Sequence, residues 1–498
     1  MRRLSGLDAS FLYMETPNNH MHVGAVYVFE PGDDPTACSF ERVKAAVESR
    51  LHTLPPFRWK LVTVPFGLHH PLWANDPDFD IEYHLRQAAL PAPGGQVELA
   101  EHAAQFMARP LDRTRPLWEM EVVEGLEGGR VALITKTHHA AIDGASGAEL
   151  TTALLDLTPD PPEISPPAKP FRGDRIPSDV ETLAYALRSL TEQPAELVKA
   201  IKRTSEMALN LRKRSADGAP ALAAPFAAPR TSFNVPITPH RKFAYGSVPL
   251  SDIKEIRAAF GGTVNDVVLA MCSAALRKYL SAGGELPAEP LVAMVPMSVR
   301  SSDQKGALGN RVTQLLVRLA TQEIDPLKRY EAIKAETVMV KESINAIGAD
   351  TLSNWAEFAA PAVAARAARL YSSMGLANRH KPIYNVTISN VPGPQVPLYC
   401  TGAQLVEWYP MGPIFDGIGL NMTVMSYMGV MYVGLLACRE TMSGLWDLSA
   451  YCNEAIDELL ALARSTGSTQ PPTSRAPSPK KTAQNKSAAQ KVTTRQKL

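Results

Sequence analysis

The sequence predicts an α/β (α+β) protein of two domains with a cleft between them, and three observations carry that reading. The chain has 498 residues, enough for more than one hydrophobic core. Strand-like and helix-like segments are mixed in both halves. Between the halves lies TPDPPEISPPAKPFRGDRIP (158–177), too rich in proline for the interior of a helix or sheet. The expected division is a first domain at 1–157, a partly helical linker at 158–230, a second domain at 231–464 and a disordered basic tail at 465–498.

In chain order, HVGAVYVFE (22–30) reads as a strand, being rich in β-branched and aromatic residues. SFERVKAAVESRL (39–51) reads as a helix, with Val43, Val47 and Leu51 at helical spacing behind a serine cap. RVALITKT (130–137) is a second strand. Beyond the proline stretch, 178–215 reads as helical and polar, and GAPALAAPFAAPR (218–230) as an irregular connector. The second domain contains a helix from Val264 to Leu280, followed by the apolar PLVAMVPMSVR and the strand IYNVTISNVPGP.

The Ala-rich segment 354–375 reads as a helix carrying Arg366 and Arg369. It is a core or surface helix, or one that touches a membrane; the scarcity of large apolar side chains favours the first. GIGLNMTVMSYMGVMYVGLLAC (417–438) is uncharged and long enough to cross a bilayer. Asn421, Thr423, Ser426 and the glycines interrupt it, so two buried strands with a tight turn near Gly429 are expected instead. SAYCNEAIDELLALAR (449–464) is the last helix. The tail has no acidic residue; it serves as a solubilising extension or is drawn to anionic membrane or lipid-droplet surfaces.

Composition excludes several classes. A net charge of +1 lacks the basic footprint of a nucleic-acid-binding protein. The five cysteines (38, 272, 400, 438, 452) form no CxxC pair, so no disulfide framework and no metal site is expected, and a reducing cytoplasm is the simplest compartment. The N-terminus lacks the apolar stretch of a signal peptide.

The stretch THHAAIDGAS (137–146) carries the chemistry. If the strand persists, side chains alternate, so His139 shares a face with Thr135 and Thr137 while His138 lies with Ile134 and Lys136. The two histidines therefore have different jobs. The strand is expected to end at Asp143-Gly144, a turn dipeptide, and Ser146 with Glu149 fits a capping box for the next helix. Small residues at 140, 141, 144, 145 and 147 leave room for a ligand near the backbone. The spacing suits no metal site, and HHPLWAN (69–75), with Ala74 where the aspartate would fall, reads as a structural pair. Histidine titrates near working pH and suits proton abstraction. With no GxSxG elbow, Walker loop or GxGxxG, the pattern points to direct transfer through a base, with Asp143 orienting the base or bracing the loop.

HHAAIDG (138–144) resembles the HHxxxDG motif of the CoA-dependent acyltransferase superfamily, which includes chloramphenicol acetyltransferase and peptide-synthetase condensation domains. RPLWE (115–119), TVNDVVLA (263–270), MVPMSVR with ALGNR (294–300, 307–311), SNVPGP (389–394) and the opening LSGLDASFLYMETPNNHMHVG narrow the resemblance. Together they are similar to the bacterial wax ester synthase/acyl-CoA:diacylglycerol acyltransferases, in order and spacing from about residue 4 to 464. That resemblance implies two chloramphenicol-acetyltransferase-like domains with a tunnel between them. Acyl-CoA and diacylglycerol, or a long-chain alcohol, would be the substrates, with no cofactor. It implies His139 as general base, His138 as support, and Asp143 with Gly144 as structure. Asn265 and Asp266 would face the site or merely cap their helix, and Asn265 is a candidate for stabilising the oxyanion. Pro116, Leu117 and Trp118 would pack beneath the site, and Ser389, Asn390 and Gly393 would shape the domain interface and acyl channel. An acyltransferase of secondary or cell-envelope lipid metabolism, and a non-catalytic lipid-binding relative, are the alternatives.

Overall fold

A serine starts the first helix. Ser5 Oγ accepts the Asp8 N–H at 3.1 Å and caps α1 (Gly6–Met14). The computed structural model describes residues 2–141, 153–161, 164–167, 169–190, 223, 226–298, 312–347 and 361–467. The strand expected at 22–30 is β1 (His22–Glu30), and the helix expected at 39–51 is Phe40–Arg50 behind Ser39. The strand expected at 130–137 is β2 (Val131–His138), buried at all eight positions. Beyond the linker, the helix expected from Val264 is α2 (Val264–Ala282), and the Ala-rich helix is α3 (Pro361–Ser373). The uncharged segment forms Leu420–Tyr427 and Val430–Cys438, an antiparallel pair closed by Met428 and Gly429, both at positive φ (46° and 79°). Two consecutive left-handed residues match the twist of a tight hairpin, so this hydrophobic run satisfies its backbone as a sheet.

The strands of the described residues form three sheets. The first runs in the order Leu85–Ala89, Trp118–Glu124, β2, β1, then β3 (Ala403–Met411) and Tyr399–Cys400. The second runs Val312–Arg318, Val292–Ser298, Val386–Pro392, Leu420–Tyr427, Val430–Cys438, Arg241–Pro249. A small third sheet joins Arg2–Arg3, Leu72–Asn75 and Trp59–Val62.

Two expectations change. A second domain running unbroken from 231 to 464 does not describe the sheets, because β3 belongs to the first one. It pairs antiparallel with β1, Trp408 opposite Tyr27 with ring centroids 5.0 Å apart. The cause is the edge of β1, which would otherwise present unpaired backbone. The cores follow the same exchange: Trp408, Tyr427 and Tyr432 bury with Val26, Phe29 and Val122. Gly434 permits the crossing, since a Cβ there would lie 1.8 Å from Pro410 O. The second core surrounds α2, with Val267, Cys272 and Leu276 against Ile456 and Leu459 of the last helix (Leu445–Gly467).

The second change is at β2. It stops at His138, and residues 139–141 turn away rather than continuing toward Asp143-Gly144. The expected cap at Ser146 lies outside the described residues, as does most of the tail. No single helix among the described residues is long and apolar enough to cross a membrane.

Candidate active site

The end of β2 is held by a lattice of short backbone contacts. His138 N–H donates to Leu117 O (3.0 Å), His139 N–H to Met21 O (2.9 Å) and Ala141 N–H to His138 O (2.9 Å). Ala140 N–H donates to His138 Nδ1 at 3.0 Å. That last bond fixes the ring's chemistry. Nδ1 is an acceptor, so in neutral His138 the proton sits on Nε2. Nε2 lies 3.1 Å from Glu15 Oε2 and donates to it. Both ring nitrogens of His138 are thereby committed. The ring is buried, and desolvation pushes its pKa below the usual histidine value against the opposing pull of Glu15.

Glu15 follows α1 as its C-cap. Burial alone would raise its carboxyl. His138 first, through its hydrogen bond, and then the Arg113 guanidinium outweigh burial together and hold it below the ordinary glutamate value. Arg113 Nε–H donates to Glu15 Oε2 at 2.8 Å, and a second N–H reaches Leu12 O at 2.6 Å, so Arg113 also satisfies a carbonyl at the end of α1.

His139 lies just past the end of the strand. Its half-buried ring stacks on Phe11 of α1, centroids 4.0 Å apart and planes 24° from parallel. Helix α1 thus contacts both histidines: Phe11 meets the ring of His139, and the residue capping the helix holds His138. Neither Phe11, Glu15 nor Arg113 was singled out by sequence. A signal existed for Glu15, an acid at a helix C-terminus, where the dipole disfavours negative charge unless a cation answers it.

The other expected site residues take separate places. Pro116, Leu117 and Trp118 are buried beneath the turn. Leu117 gives its carbonyl to His138 N–H, and the Trp118 ring lies between Phe57 (4.6 Å) and His84 (4.5 Å), its Nε1–H donating to Phe57 O. Asp266 is 2% exposed and fully occupied as a cap for α2. Its carboxylate accepts Thr263 N–H and Thr263 O–H (both 2.8 Å) and Thr337 O–H (2.7 Å). Asn265, beside it, is half-buried, with no side-chain hydrogen bond among the described residues. Ser389 and Asn390 lie on the Val386–Pro392 strand, opposite Thr423 and Val424 in parallel register. Gly393 follows, where a Cβ would stand 2.3 Å from Ser426 O. Asp143 and Gly144 lie outside the described residues.

Next to His138 the two halves of the chain meet. His22 pairs with His138 across the sheet, its ring 6.3 Å away, edge to face; His20 stacks on His22 at 5.4 Å. Arg241, from the second half and 7% exposed, donates to Asn18 O at 2.6 Å. Desolvation lowers its pKa to about 10. His20, His22 and Arg241, with Met21, Met107, Pro413, Ile414 and Leu436, line a cavity of about 10 Å³, room for one water. Desolvation, then the Arg241 charge, lowers His20 to about 4, and His22 falls well below its usual value. No group of three or more His, Cys, Asp or Glu among the described residues is arranged to hold a metal ion.

The comparisons with known proteins point to one family. The family model of the wax ester synthase/diacylglycerol acyltransferase catalytic domain matches residues 4–268, and that of the C-terminal domain matches 308–460. A putative diacylglycerol O-acyltransferase of Mycobacterium tuberculosis is 39% identical over 462 residues, 92% of this chain and 90% of the relative. The solved wax ester synthase/diacylglycerol acyltransferase of Marinobacter aquaeolei VT8 is 31% identical, with a TM-score of 0.66 over 93% of this chain and 100% of that one. A trichothecene 15-O-acetyltransferase of Fusarium sporotrichioides, 11% identical, shares the fold with a TM-score of 0.56, over 93% of this chain and 94% of that one.

Proposed function

The chain belongs to the wax ester synthase/diacylglycerol acyltransferase family and is an acyltransferase, and from that premise we propose that it moves a long-chain acyl group from acyl-CoA to the hydroxyl of diacylglycerol. His139 is the general base. It takes the hydroxyl proton as the oxygen attacks the thioester carbonyl. The tetrahedral adduct then collapses with cleavage of the C–S bond, and the imidazolium returns the proton to the departing thiolate. The products are triacylglycerol and CoA. CoA enters as part of the substrate, and the scheme needs no cofactor. Long-chain alcohols are a second acceptor class in this proposal, supported by the name of the Marinobacter relative. The proposed setting is the cytoplasmic surface of a membrane or lipid droplet, where such substrates collect.

The observation that carries the assignment is the commitment of both His138 nitrogens, one to Ala140 N–H and one to Glu15. His138 cannot accept a substrate proton without breaking the turn that presents its neighbour. The test is turnover of palmitoyl-CoA by the full chain with diacylglycerol and hexadecanol offered together. Triacylglycerol should form, and rapid quenching with labelled acyl-CoA should leave no label on the protein. Absence of turnover with both acceptors would refute the lipid assignment, and a trapped acyl-enzyme would refute direct transfer.

A further inference from the structure

Far from the histidine turn in sequence but linked to it through α1, one face of the molecule combines exposed apolar side chains with basic ones. Its centre is the turn Pro65–Gly67, in the connection between two strands of the small sheet, Trp59–Val62 and Leu72–Asn75. Phe66 there has φ of +59° and is 82% exposed. A bulky side chain rarely adopts that left-handed backbone, and here it gains no burial from it. Leu68, also exposed, follows two residues on. The turn touches α3, and α3 packs against α1, whose Phe11 stacks on His139. Helix α3 adds exposed Leu370 and, just past its end, exposed Met374.

The charge on α3 and the segment after it has one sign; the helix Asp179–Leu190, which also touches the turn, brings exposed Asp179 and a Glu181 already paired with Arg175 at 3.0 Å. Between Glu357 and Glu407 the sequence holds no acidic residue and four Lys or Arg: Arg366, Arg369, Arg379 and Lys381. Arg366 and Arg369 are exposed on α3, and neither forms an ion pair among the described residues. Across the small sheet, exposed Arg3 pairs in register with Leu72, the strand position nearest the turn. Apolar side chains raised above a basic ring are what an anionic bilayer accepts: the ring lies over headgroup phosphates and the apolar tips enter the boundary of the acyl chains. A nucleic acid would leave the apolar tips unburied.

We propose that the face formed by the Pro65–Gly67 turn and α3 docks onto an anionic phospholipid bilayer, with Phe66 and Leu68 as inserted tips and Arg366 and Arg369 as headgroup contacts. The inference rests on the lipid acyltransferase reading for its purpose, since it places α1 and the histidine turn close to the phase that holds the acceptor. Its test needs no turnover.

The full chain is floated with vesicles of phosphatidylglycerol and phosphatidylcholine, and with phosphatidylcholine alone. Wild type should float with the anionic vesicles and less with the neutral ones. Phe66→Asn/Leu68→Asn and Arg366→Glu/Arg369→Glu should each weaken anionic binding by roughly tenfold. Asparagine tolerates positive φ, so Phe66→Asn should hold or raise the melting temperature while it weakens binding, a divergence that a purely structural role would not produce. Transfer to a short-chain, water-soluble alcohol should be unchanged in both variants. The basic tail is present throughout, so wild-type binding by both variants would assign attachment to the tail and overturn the proposal. A change from dimer to monomer in the variants, with unaltered flotation, would mean that a second copy covers the face and would equally overturn it. Loss of the acyltransferase reading would appear differently, as absent turnover beside intact vesicle binding.

Discussion

Glu15 is an acid capping the C-terminus of a helix, and the structure shows what keeps it there: a hydrogen bond from His138 and an ion pair with Arg113. Glu15→Ala leaves the His138 Nε2–H buried without an acceptor, which costs about 1–3 kcal/mol. The expected result is a lower melting temperature and a fall in kcat larger than any change in KM, because the turn carrying His139 loosens. Glu15→Gln keeps an acceptor but loses the charge pair, and should fall between Ala and wild type. Unchanged melting and turnover in Glu15→Ala would remove the residue from the site.

The same buried corner sets a pH dependence. His20 titrates near 4 in the folded chain and near 6.5 unfolded, and His22 and His138 shift the same way. As pH falls below 6.5 the unfolded chain takes up protons that the folded chain refuses. Their neutral burial is fully compatible with folding above pH 6.5, and stability drains away as pH drops toward 4. For His20 the change between pH 7 and pH 5 is about 2 kcal/mol. Chemical unfolding at those two pH values measures it, and a His20→Gln variant should show a flatter profile. An equal slope in wild type and variant would contradict the assignment.

At the scale of elements, the sequence was readable where the signal was local. The helical period of Val43 and Val47 behind Ser39, the helix start at Val264, and the polar interruptions and glycine of the 417–438 hairpin each act within a few residues. The end of β2 was misplaced because alternation predicts which face a residue occupies, not where pairing stops. What stops β2 is the reversal just past it: Met21, next on the partner strand, has positive φ (53°), and Ala141 N–H turns back to His138 O at 2.9 Å. The role of Asp266 was undecided in sequence for a related reason: a carboxylate at N3 suits a cap or a ligand equally well. Three hydrogen bonds commit it to the cap. Asp266→Ala is therefore expected to cost about 1–2 kcal/mol of stability, with kcat/KM near wild type in protein that remains folded. A severe loss of turnover without a shift in melting temperature would return Asp266 to the substrate.

For the whole molecule, the feature hardest to see in sequence is the exchange of β3 into the first sheet. Its partner β1 lies hundreds of residues earlier, and no local pattern names a partner. The proline-rich linker correctly marks a break along the chain, but the fold is not cut there, because β3, the shared aromatic core and the Arg241 contact to Asn18 tie the halves together beside the histidine turn. His138 and His139 are legible as a motif, but the strand alternation that separates them does not reach His139, because β2 ends at His138. The support of Phe11 and Arg113 was not legible, because they reach the turn only through folding, and for Glu15 the only signal was an acid at the end of a helix. The central claim is that His139 moves the proton while His138 holds the turn, and steady-state transfer from palmitoyl-CoA to diacylglycerol by His139→Ala and His138→Ala tests it most directly. His139→Ala should melt close to wild type and lose about 10²–10⁴ in kcat, while His138→Ala should lose stability and keep more of its activity. A folded His139→Ala enzyme with wild-type kcat, or a His138→Ala enzyme that melts normally and is the more inactive of the two, would contradict it.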